Sequence, residues 1–469
     1  MIKKYGIWLL IFIFGCVYSL YSITRHLRFD SFIFDLGVYD QIIWLFGHGK
    51  PFFSSILEAH PWGDHFTPTI LLLAPLYWIW DNVIILLLFQ AFFTAFGAYP
   101  IYLLAKKKIK DYRLALVIAF VYLSFYGIQN MIAFDFHPIA LATTLLAWLF
   151  WLYEEKKWPC FWLILLLFWG LQENFFLLSA AFGAFLILRY RDFKRGALIS
   201  SLSIVFFVLL ILVIIPRLGQ APFTYLPTHL KSLTPLGAVK MFFYPYSKVR
   251  VMAASFLSFG FLPLFTPASL IMLLEEFLQR FVGSPISTRW NLGFQYNAIL
   301  APVLAFAAIE AIQKKFLKKK IIAVCLLLGG TLLVQAFTSP AFNMLHKKEF
   351  YDFTKNKDSR AILALIPPTA SVATTNNLGA QIAHREKLIF LANCHDNPQP
   401  WLIDTRRCYK LKPEYLVADL NPANSPVYLF PDISRESILK YFDYLQKSGE
   451  YILFKKQNDV WLLKRTSND

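Results

Sequence analysis

Charge is scarce in this chain. Asp, Glu, Lys and Arg make up 16% of its 469 residues, where a soluble domain carries nearer a quarter. Set against 57% hydrophobic residues and 47 phenylalanines, that shortage excludes an ordinary cytosolic enzyme. The apolar residues come as long runs, the mark of an integral membrane protein. Cysteine is scarcer still: five residues are too few for a disulfide framework. Cys16, Cys160 and Cys325 lie in apolar runs and read as small core residues. Cys394 and Cys408 lie in the C-terminal part, where a disulfide and two free thiols are both open readings. Cys394-His395-Asp396 lacks the second ligand pair that a metal site needs. Also missing are a Walker loop, GxGxxG, HExxH or GxSxG motif in suitable context, an internal repeat and any low-complexity stretch.

The chain does carry a net charge of +17, but in short clusters between apolar runs: Lys3-Lys4, residues 106–110 with Arg113, Lys156-Lys157, residues 189–195 and residues 314–320. That is the signature of cytoplasmic loops. It argues for the lipid bilayer as partner and against nucleic acid. Residues 7–24 read as an uncleaved first span, because no small-x-small cleavage site follows. Requiring every basic cluster to fall on one side gives about eleven transmembrane helices. The N-terminus is then inside and the C-terminus outside. Residues 66–80, which begin Phe66-Thr67-Pro68 and contain Pro75, are too short for a ~30 Å core and are expected to lie along the outer surface. They belong to a first external loop, residues 25–82.

After residue 338 the charged density becomes that of a soluble domain. Helical patterns over 348–366 and 434–447, with strand patterns at 371–375, 415–419 and 460–463, predict an external α/β domain. The expected fold is thus a polytopic α-helical membrane domain, residues 1–338, followed by a C-terminal external α/β domain, residues 339–469.

The candidate chemistry lies in the loops on the outer side. Carboxylates first appear in Phe34-Asp35-Leu36-Gly37-Val38-Tyr39-Asp40-Gln41, and the same loop holds Gly63-Asp64-His65-Phe66-Thr67-Pro68. Near a membrane, one such carboxylate suits a general base and another suits a divalent cation beside a phosphate-bearing donor. Asp35 and Asp40 are five apart, about 140° on a helix, so they would not share one metal, and Asp40 reads as the more structural of the two. The bland alternative is a solvated loop. Asp135 and His137 flank a helix start at Pro138, where a carboxylate is favourable without any function. Gln172-Glu173-Asn174 interrupts a long apolar stretch, and a carboxylate near membrane depth marks either a site or a hairpin tip reaching water. Glu275-Glu276 is similar in kind. Arg289 suits a phosphate contact or a structural ion pair.

The first two motifs, together with Phe136-His137-Pro138 and Gln295-Tyr296 followed by Pro302, resemble a family of bacterial and archaeal membrane proteins, domain-of-unknown-function family 2079. That family in turn resembles the GT-C glycosyltransferases, which include protein mannosyltransferases, aminoarabinose lipid A transferases and oligosaccharyltransferases. The resemblance implies a glycosyltransferase that takes a sugar from a polyprenyl-phosphate-linked donor. The acceptor, at the outer face of the membrane, would be a lipid, a glycan or a protein. It implies catalytic roles for Asp35, Asp64 and Glu173, with Asp35 as the base or metal ligand. It also implies substrate contacts at Tyr39, Asp40, His65, His137, Arg289, Gln295 and Tyr296. Magnesium or manganese is the one cofactor it leaves room for. Two positions depart from the family pattern: Gln172 stands where a lysine is expected and Gln295 where a histidine is. The first removes a cation that would meet donor phosphate. The alternative function is a non-catalytic transporter or scaffold for lipid-linked cargo.

Overall fold

The computed structural model describes residues 2–225, 233–284, 286–314, 320–340, 344, 346–391, 412–422, 424, 426–429 and 434–466. Helix dominates, with a small sheet towards the C-terminus. Five helices are long and apolar enough to cross a membrane: Lys3–Leu27, Ile84–Ile109, Phe193–Gly219, Gln295–Ile312 and Lys320–Thr338. A sixth follows if Tyr112–Ser124 and Tyr126–Ile132, bent by 46° at their junction, count as one span. Pro138–Glu154 and Asn174–Tyr190 have 17 residues each, roughly 26 Å of helix against a ~30 Å hydrocarbon core. The expected surface segment breaks into a tight turn, Pro68–Leu73, and a short helix, Leu76–Ile79. Leu72, Trp78 and Ile79 remain exposed there, as suits a segment lying in an apolar interface.

Four helices run in the same direction, and this positions the site. Ile84–Phe96 continues as Ala98–Ile109, Pro138–Glu154 follows His137, Asn174–Tyr190 follows Glu173, and Leu300–Ile312 follows Tyr296. Their starts gather the polar turns at one end. Their far ends carry Lys108, Glu154, Arg189 and Glu310, joined by ion pairs Lys108–Glu154 (2.5 Å), Lys108–Glu310 (3.4 Å) and Arg189–Glu310 (2.7 Å). Lys108 and Arg189, from two of the basic clusters, therefore sit at the end opposite the candidate site.

The sheet comprises β1 (Val372–Thr374), β2 (Leu388–Phe390), β3 (Tyr415–Asp419), β4 (Tyr451–Gln457) and β5 (Val460–Arg465), in the order β2-β1-β3-β5-β4. β1 is parallel to β2 and β3, and β5 is antiparallel to β3 and β4. Side-chain alternation gives it two apolar faces. Ala373, Ile389, Leu416 and Leu463 pack on helix Arg435–Lys447. Val372, Leu388, Phe390, Val417 and Leu462 instead join the core shared with the membrane helices and the first loop.

Several expectations change here. The helix over 348–366 resolves into a turn at Lys348–Tyr351 and a helix at Lys357–Leu363. β2 and β4 were not anticipated: β2 is three buried residues, and β4 leaves Ile452, Leu453 and Phe454 exposed in succession, so neither shows alternation. Cys16, Cys160 and Cys325 stand exposed on their helices instead of in the core, because an apolar run facing lipid looks the same in sequence as one facing protein. Cys394, His395, Asp396 and Cys408 lie outside the described residues.

Candidate active site

The helix starts and the first loop enclose a cavity of about 950 Å³. Asp35, Tyr39, Asp64, His65, His137, Glu173, Arg289, Gln295 and Tyr296 all line it.

Asp40 does not line it. Its carboxylate is 1% exposed and accepts from the Tyr77 hydroxyl and from His384 Nε2 at 2.9 Å, while His384 Nδ1 lies 2.9 Å from Asp81. Burial pulls His384 down, but Asp40 and Asp81 outweigh it and raise its pKa. The expected substrate contact at Asp40 is thus corrected to a clasp between the first loop and the C-terminal region. The reason is helical phase: Asp35 faces the cavity, so a residue five further on faces the packed side. Asp40→Ala strands the buried Tyr77 hydroxyl and the half-buried His384 Nε2 and is expected to cost about 1–3 kcal/mol of stability, read as a lower melting temperature. Any activity that depends on the cavity should change only a few-fold at a permissive temperature, and a complete loss there would place Asp40 in the chemistry after all.

Asp35 sits in a widened turn, Ile33–Gly37, where Gly37 N–H bonds back to Phe32 O (3.1 Å) and Val38 N–H to Ile33 O. Such π-type turns recur at functional sites. Two anchors hold it. Asp135 accepts from Phe32 N–H (2.9 Å) and pairs with Arg25 (3.3 Å), and Asn376 Oδ1 accepts from Ile33 N–H (3.2 Å). Burial pushes the Asp135 carboxyl up to about 7, against the pull of Arg25. Asp35 itself is 27% exposed, and His137 Nε2 lies 2.9 Å from its Oδ1. Gln295 also reaches His137 Nε2, through Nε2 at 3.1 Å, while its buried Oε1 has no partner. Two N–H groups cannot meet on one nitrogen that donates to Asp35, so the network assigns Gln295 Oε1 to the histidine side. His137 Nε2 then lies between Asp35 Oδ1 and Gln295, and Oδ2 of Asp35 has no donor among the described residues.

The second half of the site centres on His65. Glu173, 3% exposed, accepts from His65 Nδ1–H (2.7 Å) and from Phe66 N–H (3.1 Å). Asp64 accepts from the Tyr225 hydroxyl (2.9 Å), and the Tyr225 ring stacks on His65 at 4.6 Å. Burial lowers the His65 pKa, but Glu173 and Asp64 together raise it to about 9, so the imidazole is a cation at neutral pH. Burial tends to raise Glu173, yet the same histidine holds its carboxyl below the usual range. Gly63 meets the backbone of Gly219 so closely that a Cβ on either would collide, which seats this turn. Burial, with Asp64, Asp35 and Glu173 nearby, pushes the Tyr39 phenol well up, so it remains a donor. Arg289 is half-buried between the rings of Tyr225 (5.2 Å) and Tyr296 (5.9 Å) and pairs with no carboxylate among the described residues.

Tyr225 carried no signal in the sequence, because it lies in an irregular Pro-containing stretch. Gln172 also lines the cavity, as a neutral side chain. Among the described residues no three carboxylate, imidazole or thiolate groups converge, so a magnesium or manganese ion here would be held by Asp35 or Asp64 together with phosphate oxygens of a ligand.

A sequence model for a family described as "Predicted membrane protein (DUF2079)" matches residues 25–462. No curated protein matches the chain in sequence. Among solved structures, the crystal structure of ArnT from Cupriavidus metallidurans bound to undecaprenyl phosphate is similar with a TM-score of 0.56 at 11% identity, covering 99% of each chain. The likeness is one of fold and extends from the first helix to the C-terminal sheet.

Proposed function

Since the chain belongs to the DUF2079 family of predicted membrane proteins and shares the fold of ArnT, a GT-C glycosyltransferase, we propose that it is itself a glycosyltransferase. It would take a sugar from a polyprenyl-phosphate-linked donor and pass it to a lipid, glycan or protein acceptor. The observation that carries this reading is Asp35, a carboxylate held beside His137 through Oδ1 and open through Oδ2, on the wall of a cavity that also carries Arg289 and an apolar stretch.

Asp35 Oδ2 takes the proton of an acceptor hydroxyl as that oxygen attacks the anomeric carbon. The bond from that carbon to the phosphate oxygen breaks, and its electron pair leaves with the polyprenyl phosphate, inverting the sugar. His137, aligned by Gln295, holds the carboxylate in place. Arg289, free of carboxylates and already desolvated by two rings, meets the donor phosphate, with the cationic His65 nearby. Leu177, Ala181, Ile271 and Leu274 give the prenyl chain an apolar wall. Within the same proposal, residues 1–338 form the membrane part and residues 339–469 an outer domain. The shorter helices complete about eleven crossings of the inner membrane, and the cavity opens on the periplasmic side.

Cells lacking this chain are expected to accumulate a polyprenyl-phosphate-linked sugar that cells containing it consume, measured by mass spectrometry of lipid extracts. An identical lipid-linked sugar profile in the two strains would overturn the reading.

A further inference from the structure

A second polar group lines the same cavity, on a different element from Asp35 and His65. Glu275, Glu276, Gln279 and Arg280 share the helix Pro267–Phe281, which packs against Asn174–Tyr190. Glu275 and Glu276 lie about a turn and a half before its C-terminal end, roughly 8 Å, and share the cavity wall with Arg289.

Charged groups at such a place are costly unless paired. Glu276 (2% exposed) and Arg280 (3% exposed) do pair, at 3.7 Å. Arg280 also donates to Asn297 Oδ1 at 2.8 Å and to Glu276 O at 3.1 Å. Yet the cluster is not satisfied. Among the described residues, Glu275 Oε2, Glu276 Oε1, Gln279 Nε2 and Arg280 Nη2 are buried with no hydrogen-bond partner. That many orphaned atoms on one helix face is far from the native habit of pairing buried polar groups.

The unpaired atoms comprise two acceptors and two donors, and that inventory selects among ligands. An ammonium group would satisfy the carboxylates and leave the amide and guanidinium unpaired. A phosphate would do the reverse and would face two carboxylates. A hydroxyl both donates and accepts, so two neighbouring hydroxyls satisfy all four atoms. The terminal torsions of Glu and Gln are soft, so side chains already on the wall can turn these atoms towards a ligand. We propose that this cluster is the subsite for the hydroxyls of the transferred sugar, and that the donor therefore carries a neutral, polyhydroxylated sugar. The inference rests on the donor reading above.

Binding by the full-length protein in lipid nanodiscs tests it. The probes are undecaprenyl phosphate, its mannose-linked and glucose-linked forms, and a form carrying a 4-amino-4-deoxypentose. At least one neutral hexose is expected to add about tenfold or more to the affinity for the bare lipid phosphate, since hydrogen bonds to charged groups are the strong ones. Glu275→Gln and Gln279→Leu should each remove most of that increment while leaving the bare lipid phosphate bound as before, which also reports that both variants fold. An increment that survives in both variants overturns the subsite. An increment seen only with the amino sugar overturns it in favour of an ammonium site. Equal affinity for all four probes overturns the subsite but keeps the donor reading. Binding of none of them overturns both.

Discussion

Asp35→Asn is expected to lower sugar transfer by about 10²–10⁴-fold, the usual worth of a positioned general base. The substitution keeps size and shape, so the turn at Ile33–Gly37 and its anchors to Asp135 and Asn376 should persist. What it removes is the only atom of the turn able to take a proton. Because Arg289 and the apolar wall are untouched, the loss should fall on kcat, with KM for the donor nearly unchanged, the pattern of an interaction made in the transition state. His137→Ala should act through the same carboxylate with a smaller loss, because Asp35 would remain but lose its fixed orientation. Steady-state kinetics with purified protein and the consumed donor separate these outcomes. Near-wild-type kcat in Asp35→Asn would remove it from the chemistry, whatever the fate of the glycosyltransferase reading.

The second large effect concerns His65 and Glu173 and is read in stability against pH. The folded pKa of His65 is about 9 against an ordinary 6.5. A raised histidine stabilises the fold fully below 6.5 and loses that contribution as pH rises through 9. For Glu173 the folded pKa is lowered, so its share is present above the ordinary carboxylate range and is lost as pH falls through the lowered value. The pair is therefore at full strength in mildly acidic solution, up to about pH 6.5, and weakens from there upward. With a side chain only 16% exposed, solvent screening of His65 is small, and the shift corresponds to about 3 kcal/mol. Melting temperature in detergent is expected to fall steeply between pH 6.5 and 9. Glu173→Gln should lower it at pH 6.5 and flatten that slope, since the neutral amide cannot hold the imidazolium. A slope that survives the substitution would mean that Glu173 is not what raises His65.

How much of this was legible in the sequence varies from residue to residue. Glu173 and the Asp64-His65 step stood out because charge inside an apolar chain is rare enough to be informative. Their pairing was not legible, since 108 residues separate His65 from Glu173 and nothing local relates them. Asp40 was as visible as Asp35, and only the direction of the helix after Gly37 separated a cavity carboxylate from a clasp. Tyr225 and the join of Gln295 to His137 depend on loops whose course no periodicity describes. Glu275-Glu276 was visible as a pair, but its unsatisfied partners Gln279 and Arg280 appear only once one helix face is known to line the cavity.

Composition, the apolar runs and the basic clusters by themselves determined that this is a helical membrane protein with its polar turns gathered at one end. Those properties follow from transfer free energy and charge placement, which are sums over residues and need no coordinates. Tertiary structure alone decided which polar groups meet: Asp35 with His137, Glu173 with His65, Asp40 with His384, and the sheet after residue 370 with the first loop. Contacts between residues hundreds of positions apart depend on how helices cross, and helix crossing is set by close packing of side chains, which no single stretch of sequence records.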